Sequence, residues 1–102
     1  MKIARQIKWL DSGKGVQALF KLTPPMITVD YKDVVEQHDY VVVSAVNAMI
    51  SGPETYIFSA DETGGIKNFS AIEGSFRGKL DIWEAIRNAG YEPHGLALSN
   101  AG

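Results

Sequence analysis

Gly74-Ser75-Phe76-Arg77-Gly78-Lys79 is the stretch of this sequence best equipped for chemistry. Its glycines free the backbone, Ser75 offers a hydroxyl, and Arg77 presents a planar fork that fits a phosphate or a carboxylate. The stretch stands just ahead of a predicted helix, whose N-terminus favours an anion. A plainer role competes with that one. Short Gly/Ser loops before helices are common, and here Phe76 would plug the core while Arg77 stays solvated. Tyr56 and Phe58, two residues apart on a predicted strand, share one face and could stack on a base, with Asn68 to hydrogen-bond it. Arg77 or Arg87 near that face would complete a nucleotide-like set, aromatic for the base and arginine for the phosphates. The ligand-binding candidates are therefore Ser75, Arg77, Tyr56, Phe58, Asn68 and Arg87.

The same search for catalytic groups returns none. Gly13-Lys14-Gly15 lacks the upstream glycine of a phosphate loop and has Gly where Ser or Thr should follow the lysine, so it reads as a turn. His38 beside Asp39, with Glu36 near, has the composition of an oriented base or a metal ligand. With one other histidine and no cysteine the ligand set for zinc is too thin, and a solvated polar loop is the simpler account. Ser44 lies in an apolar run without the Gly-x-Ser-x-Gly elbow that exposes a nucleophile. The carboxylates are scattered, with no pair set to face one cleft. No metal and no cofactor is expected.

The elements that would position these residues follow from alternation and punctuation. Ile3, Ile7 and Trp9 alternate with Lys2, Gln6 and Lys8, which predicts a strand with the apolar set inward and Arg5 as the exception. Turn residues at 11–15 lead to a second alternating run through Val16, Ala18, Phe20 and Leu22, giving an N-terminal hairpin. Pro24-Pro25 should end that strand or mark an edge, with another short strand over 26–31. Residues 30–39 are the most polar stretch and are expected to be a mobile connection. Residues 40–50 are apolar on both alternating faces, the mark of a covered central strand, and residues 54–60 supply its partner. Ile82, Trp83, Ile86 and Ala89 form one stripe of an amphipathic helix over 81–89. The expected fold is α+β: a small antiparallel sheet with that helix packed on it, as a single domain over residues 1–92, and a flexible tail over 93–102.

Composition sets the outer bounds. At 102 residues and 45% hydrophobic the chain fits one globular core. Residues 1–50 carry six basic and five acidic groups, residues 51–102 four and seven, so neither half has the clustered cations of a duplex-binding domain. Nucleic acid is disfavoured as a partner. No run is apolar over the roughly 18 residues of a membrane span, and no signal-peptide core opens the chain. The absence of cysteine suits the cytoplasm. A sheet this small leaves an edge or an apolar face to hide, which points to a homo-oligomer.

Residues 39–46 (DYVVVSAV), 51–61 (SGPETYIFSAD), 74–78 (GSFRG) and 89–92 (AGYE) together resemble small, mostly uncharacterised accessory proteins of bacteriophages and prophages. The resemblance spans residues 38–92. It implies a protein acting inside a bacterium, in a class that includes counter-defence proteins sequestering nucleotide immune signals. On these grounds the expected function is non-catalytic binding of a small anionic or nucleotide-like ligand or of a host protein. A small enzyme acting on a nucleotide or phosphoester, and a virion structural or assembly protein, are the alternatives.

Overall fold

The structure, a computed structural model, describes residues 1–11, 15–29, 31–48, 52–68, 76–77 and 82–95. In chain order these form β1 (Ile3–Asp11), β2 (Gly15–Val29), β3 (Val35–Ala48), β4 (Gly52–Ala60), β5 (Ile66–Asn68), β6 (Phe76–Arg77), α1 (Ile82–Asn88) and β7 (Glu92–His94). The strands make one sheet in the order β5-β4-β3-β2-β1-β7, with β6 also paired to β4. The fold is α+β, but the sheet is mixed rather than antiparallel, because β7 lies parallel to β1. That pairing draws Pro93 and His94, expected in a tail, into the sheet, with Pro93 buried.

β3 is central for the reason its composition suggested. Val41, Val42 and Val43 are each 0% exposed because β2 and β4 flank them and both sheet faces are covered there. On the face carrying α1, Phe20, Val41, Val43 and Ile57 pack with Ile82, Ala85 and Ile86 in the larger core. On the other face Leu19, Val42 and Ala60 are buried, with Leu10, Tyr40 and Ile66 packed around them. The loop 61–65 lies over this smaller core: a Cβ at Gly64, whose φ is +98°, would come within 3.0 Å of Leu10 Cδ2. Asp61 holds the loop, its Oδ1 accepting hydrogen bonds from Thr63 N (2.9 Å), Thr63 Oγ1 (2.6 Å) and Gly65 N (2.9 Å). Those bonds, the Thr63 hydroxyl foremost, favour the carboxylate and hold its pKa below the ordinary 3.8.

β1 reverses the expected facing. Ala4 and Gln6 point to the helix side, buried, while Ile7 and Trp9 are exposed. The cause is register: Ala4 stands opposite Leu22 and Gln6 opposite Phe20 on the helix side, and the slip between Gln6 and Lys8 then switches the parity, so that Trp9 stands opposite Ala18 and Leu10 packs on the smaller core. Trp83, half-buried on α1, donates from Nε1 to Gln6 Oε1 at 3.3 Å.

β2 also runs on through Pro24-Pro25 instead of stopping. The ladder with β3 skips from Lys21 opposite Tyr40 to Met26 opposite His38, and the prolines sit in the bulge. β1 ends at Ile3 opposite Thr23, so the missing N–H groups face no strand on that side. Beyond the bulge, residues 26–29 pair with residues 35–38 in a two-stranded arm that outruns both flanking strands. The expected mobile connection over 30–39 is thus in large part strand.

Candidate functional site

The hairpin register brings together two basic residues that sequence spacing keeps 16 positions apart. Arg5 stands directly opposite Lys21, both exposed. On its other side β7 places His94 opposite Arg5, and Lys21 in turn is opposite Tyr40 on β3. Residues in register share a face, so His94, Arg5, Lys21 and Tyr40 form one row across four strands. Tyr40 packs on the smaller core, which fixes the row on the face opposite α1. Neighbouring strands lie about 4.8 Å apart, so the nitrogen-bearing part of the row extends roughly 10 Å.

Like charges directly opposite one another destabilise a sheet. No described carboxylate stands opposite Arg5 or Lys21, and neither side chain has an ion pair or hydrogen bond among the described residues. Glu92 is the nearest acid by register, diagonal to Arg5 through its pairing with Ile3. The row is therefore an uncompensated cationic strip on an exposed surface, with one tyrosine at its inner end.

Tyr56 and Phe58 lie on the same face, since Tyr56 is opposite Ser44 and Phe58 opposite Val42 of the smaller core. Both rings are half-buried, with centroids 5.9 Å apart and planes tilted by 30°. Gln17 Nε2 donates to Ser44 Oγ at 3.2 Å beside them.

Of the other expected site residues, Arg87 and Asn68 stand apart from the aromatic pair, whereas Arg77 is in register on the aromatic face. Arg87 is exposed on α1, separated from Tyr56 and Phe58 by the thickness of the sheet. Asn68 is in register with Ser59, not with either aromatic. Arg77 falls on β6 directly opposite Glu54, a buried residue on the aromatic face. Ser75 lies outside the described residues. Residue 74 and residues 78–81, the stretch leading to α1, also lie outside the described residues.

His38 is also not where its neighbours in sequence suggested. It is 4% exposed, with Nε2 2.7 Å from Thr28 Oγ1 and Nδ1 2.9 Å from Ser59 Oγ. Asp39 turns away and accepts from Gln37 Nε2 at 3.4 Å. The ring is a buried clasp between two hydroxyls and not a base oriented by Asp39. Ser59, itself 7% exposed, is placed to be held and not to attack a substrate.

Among the described residues no group of three or more His, Asp or Glu side chains could hold a metal ion. No helix among the described residues is long and apolar enough to cross a membrane. Compared with known proteins, the chain matches no family model, no curated protein and no solved structure.

Proposed function

We propose that this protein is a non-catalytic binder that captures a small phosphate-bearing, nucleotide-like ligand on the sheet face opposite α1. The observation that carries the proposal is the row His94, Arg5, Lys21, in which the cations Arg5 and Lys21 stand side by side without an opposing carboxylate and the His94 ring flanks Arg5. An anion laid along the row would relieve that repulsion, and Arg5 can grip a phosphate in a bidentate way. The half-buried rings of Tyr56 and Phe58 on the same face provide stacking surface for a base. The resemblance to phage accessory proteins supports a ligand of the bacterial cytoplasm, with nucleotide immune signals among those to try first.

The test is a thermal-shift series with pyrophosphate, nucleoside phosphates and cyclic dinucleotides. A ligand that binds only the native state raises the melting point by mass action. Arg5→Ala with Lys21→Ala should abolish the shift while leaving the unliganded protein as stable or slightly more so, by up to about 1 kcal/mol, because the repulsion is removed. Tyr56→Ala should weaken nucleotides but not pyrophosphate. A shift that persists in the Arg5/Lys21 double variant, or no shift with any of these ligands, refutes the proposal. Unchanged ligand recovered after incubation separates capture from turnover.

A further inference from the structure

We infer that the arm formed by residues 26–29 and 35–38 is a dimerisation element, and that its occupant is the same arm of a second copy. This inference is independent of the ligand-binding row. The arm has two chemically unlike faces. Met26 and His38, directly opposite one another, are buried at its root, and His38 bonds to Thr28 and Ser59. The other face shows Ile27 (55% exposed), Val29 (59%) and Val35 (64%), with Ile27 opposite Gln37 and Val29 opposite Val35. Tyr31, at the tip, is 90% exposed. A two-stranded ribbon with an uncovered aliphatic face is marginal in water, and both of its edges run past the strands that could have paired them.

Charge decides which edge is used and by what. Three long stretches of strand edge are open among the described residues. The outer edge of β1 beyond Arg5 carries Lys8 and a slip in the ladder at Ile7, both of which blunt pairing. The outer edge of β3 over 35–39 carries Glu36 and Asp39, so two copies meeting there would bring acid against acid. The outer edge of β2 from Pro24 to Val29 holds no charge at all, and Pro24-Pro25 mark where pairing must stop.

Two copies of that edge can pair antiparallel about a two-fold axis only if residues on one face meet residues on the same face. Centred on Thr28, the register sets Ile27 of one copy opposite Val29 of the other, and Thr28 opposite Thr28. Across the new ladder Ile27 of each copy packs beside Val29 of the other, so both lose exposure at the seam, while Val35 and Gln37 stay on the outer strands. The contact is self-complementary and closes on itself, as a two-fold interface must.

The chain has no cysteine, so engineered thiols report cleanly. Light scattering at high micromolar concentration should give twice the 11.1 kDa chain mass. Val29→Lys, whose side chain is solvent-exposed within the monomer, should leave the circular dichroism spectrum unchanged and weaken dimerisation on the order of a hundredfold or more. Thr28→Cys should oxidise to a covalent dimer, since opposed residues on antiparallel strands have Cα atoms roughly 4.5–5.5 Å apart, within disulfide reach. Glu36→Cys, on the far strand of the arm, should not. A monomeric mass, a Val29→Lys variant that stays dimeric, or crosslinking by Glu36→Cys in place of Thr28→Cys overturns the inference.

Discussion

Val42 and Val35 lie in the same strand and carry the same side chain, yet Val42 is 0% exposed and Val35 is 64% exposed. The difference lies in the neighbours. At Val42 the strand has β2 on one side, β4 on the other, Leu19 and Ala60 packed on the same face, and the loop 61–65 beyond them. At Val35 only the other half of the arm is alongside. A β-branched run states a preference for a pleated, covered surface, and topology decides whether cover arrives. In the body of the sheet this chain supplies it, and in the arm it leaves it to be supplied from outside.

Substitutions can sharpen that contrast. The largest effect is expected in the body: Phe20→Ala, at a fully buried site between β1 and β3, should lower unfolding free energy by about 3–5 kcal/mol through lost transfer energy and a cavity. In dilute, monomeric protein Val35→Thr should stay within about 0.5 kcal/mol of wild type by urea titration. A loss in the arm as large as that in the body would mean that the two regions are not differently covered.

Between them stands the clasp. His38→Ala leaves the Thr28 and Ser59 hydroxyls facing each other across a gap and should cost about 1–3 kcal/mol. Amide exchange over residues 26–29 should accelerate more than over residues 41–43, because the clasp fastens the arm and not the centre. Equal acceleration in both stretches would show the arm and body opening as one unit.

The smallest effect belongs to the loop over the minor core. Asp61 has a folded pKa below its ordinary 3.8, so its stabilising contribution is present above that value and is lost as pH falls through the lower, folded one. Asp61→Asn should therefore unfold at lower urea than wild type at pH 7, and the gap should narrow in acid. A gap independent of pH would assign the effect to loop geometry instead of charge.

Much of the body was legible because each local signal agreed with the next. The doubly apolar run at 40–46 marked the central strand, the period of two set Tyr56 and Phe58 on one face, and the turn residues at 11–15 fixed a hairpin. Facing in β1 was not legible. Alternation there put Ile7 and Trp9 with Ile3, but Phe20 and Leu22 across the ladder were the stronger claimants for the core, and they took Ala4 and Gln6 as partners. The pairing of Arg5 with Lys21 was not legible either, because counting outward from the turn sets Arg5 opposite Leu22 and only the slip between Gln6 and Lys8 moves it to Lys21. Nor was the place of His94, since the three residues of β7, with Pro93 in the middle, give no periodic signal, and only the return of the chain beside β1 sets it. Strand continuity through Pro24-Pro25 was hidden for a related reason, because whether a proline breaks a ladder depends on which edge it faces.

The parallel contact between β1 and β7 also sets an order of events during synthesis. Residues 3–5 leave the ribosome ahead of every other described strand, yet their partners at residues 92–94 follow all of those strands and the helix. The meander of β1 to β4 can assemble beforehand from neighbours in sequence. Until β7 arrives, the outer edge of β1 is bare along its whole length, and Tyr91 cannot donate its hydroxyl to the Pro24 carbonyl at 2.6 Å. The nascent chain thus spends that interval with an edge open to wrong partners, and the row of Arg5 and Lys21 gains His94 only once β7 has been made.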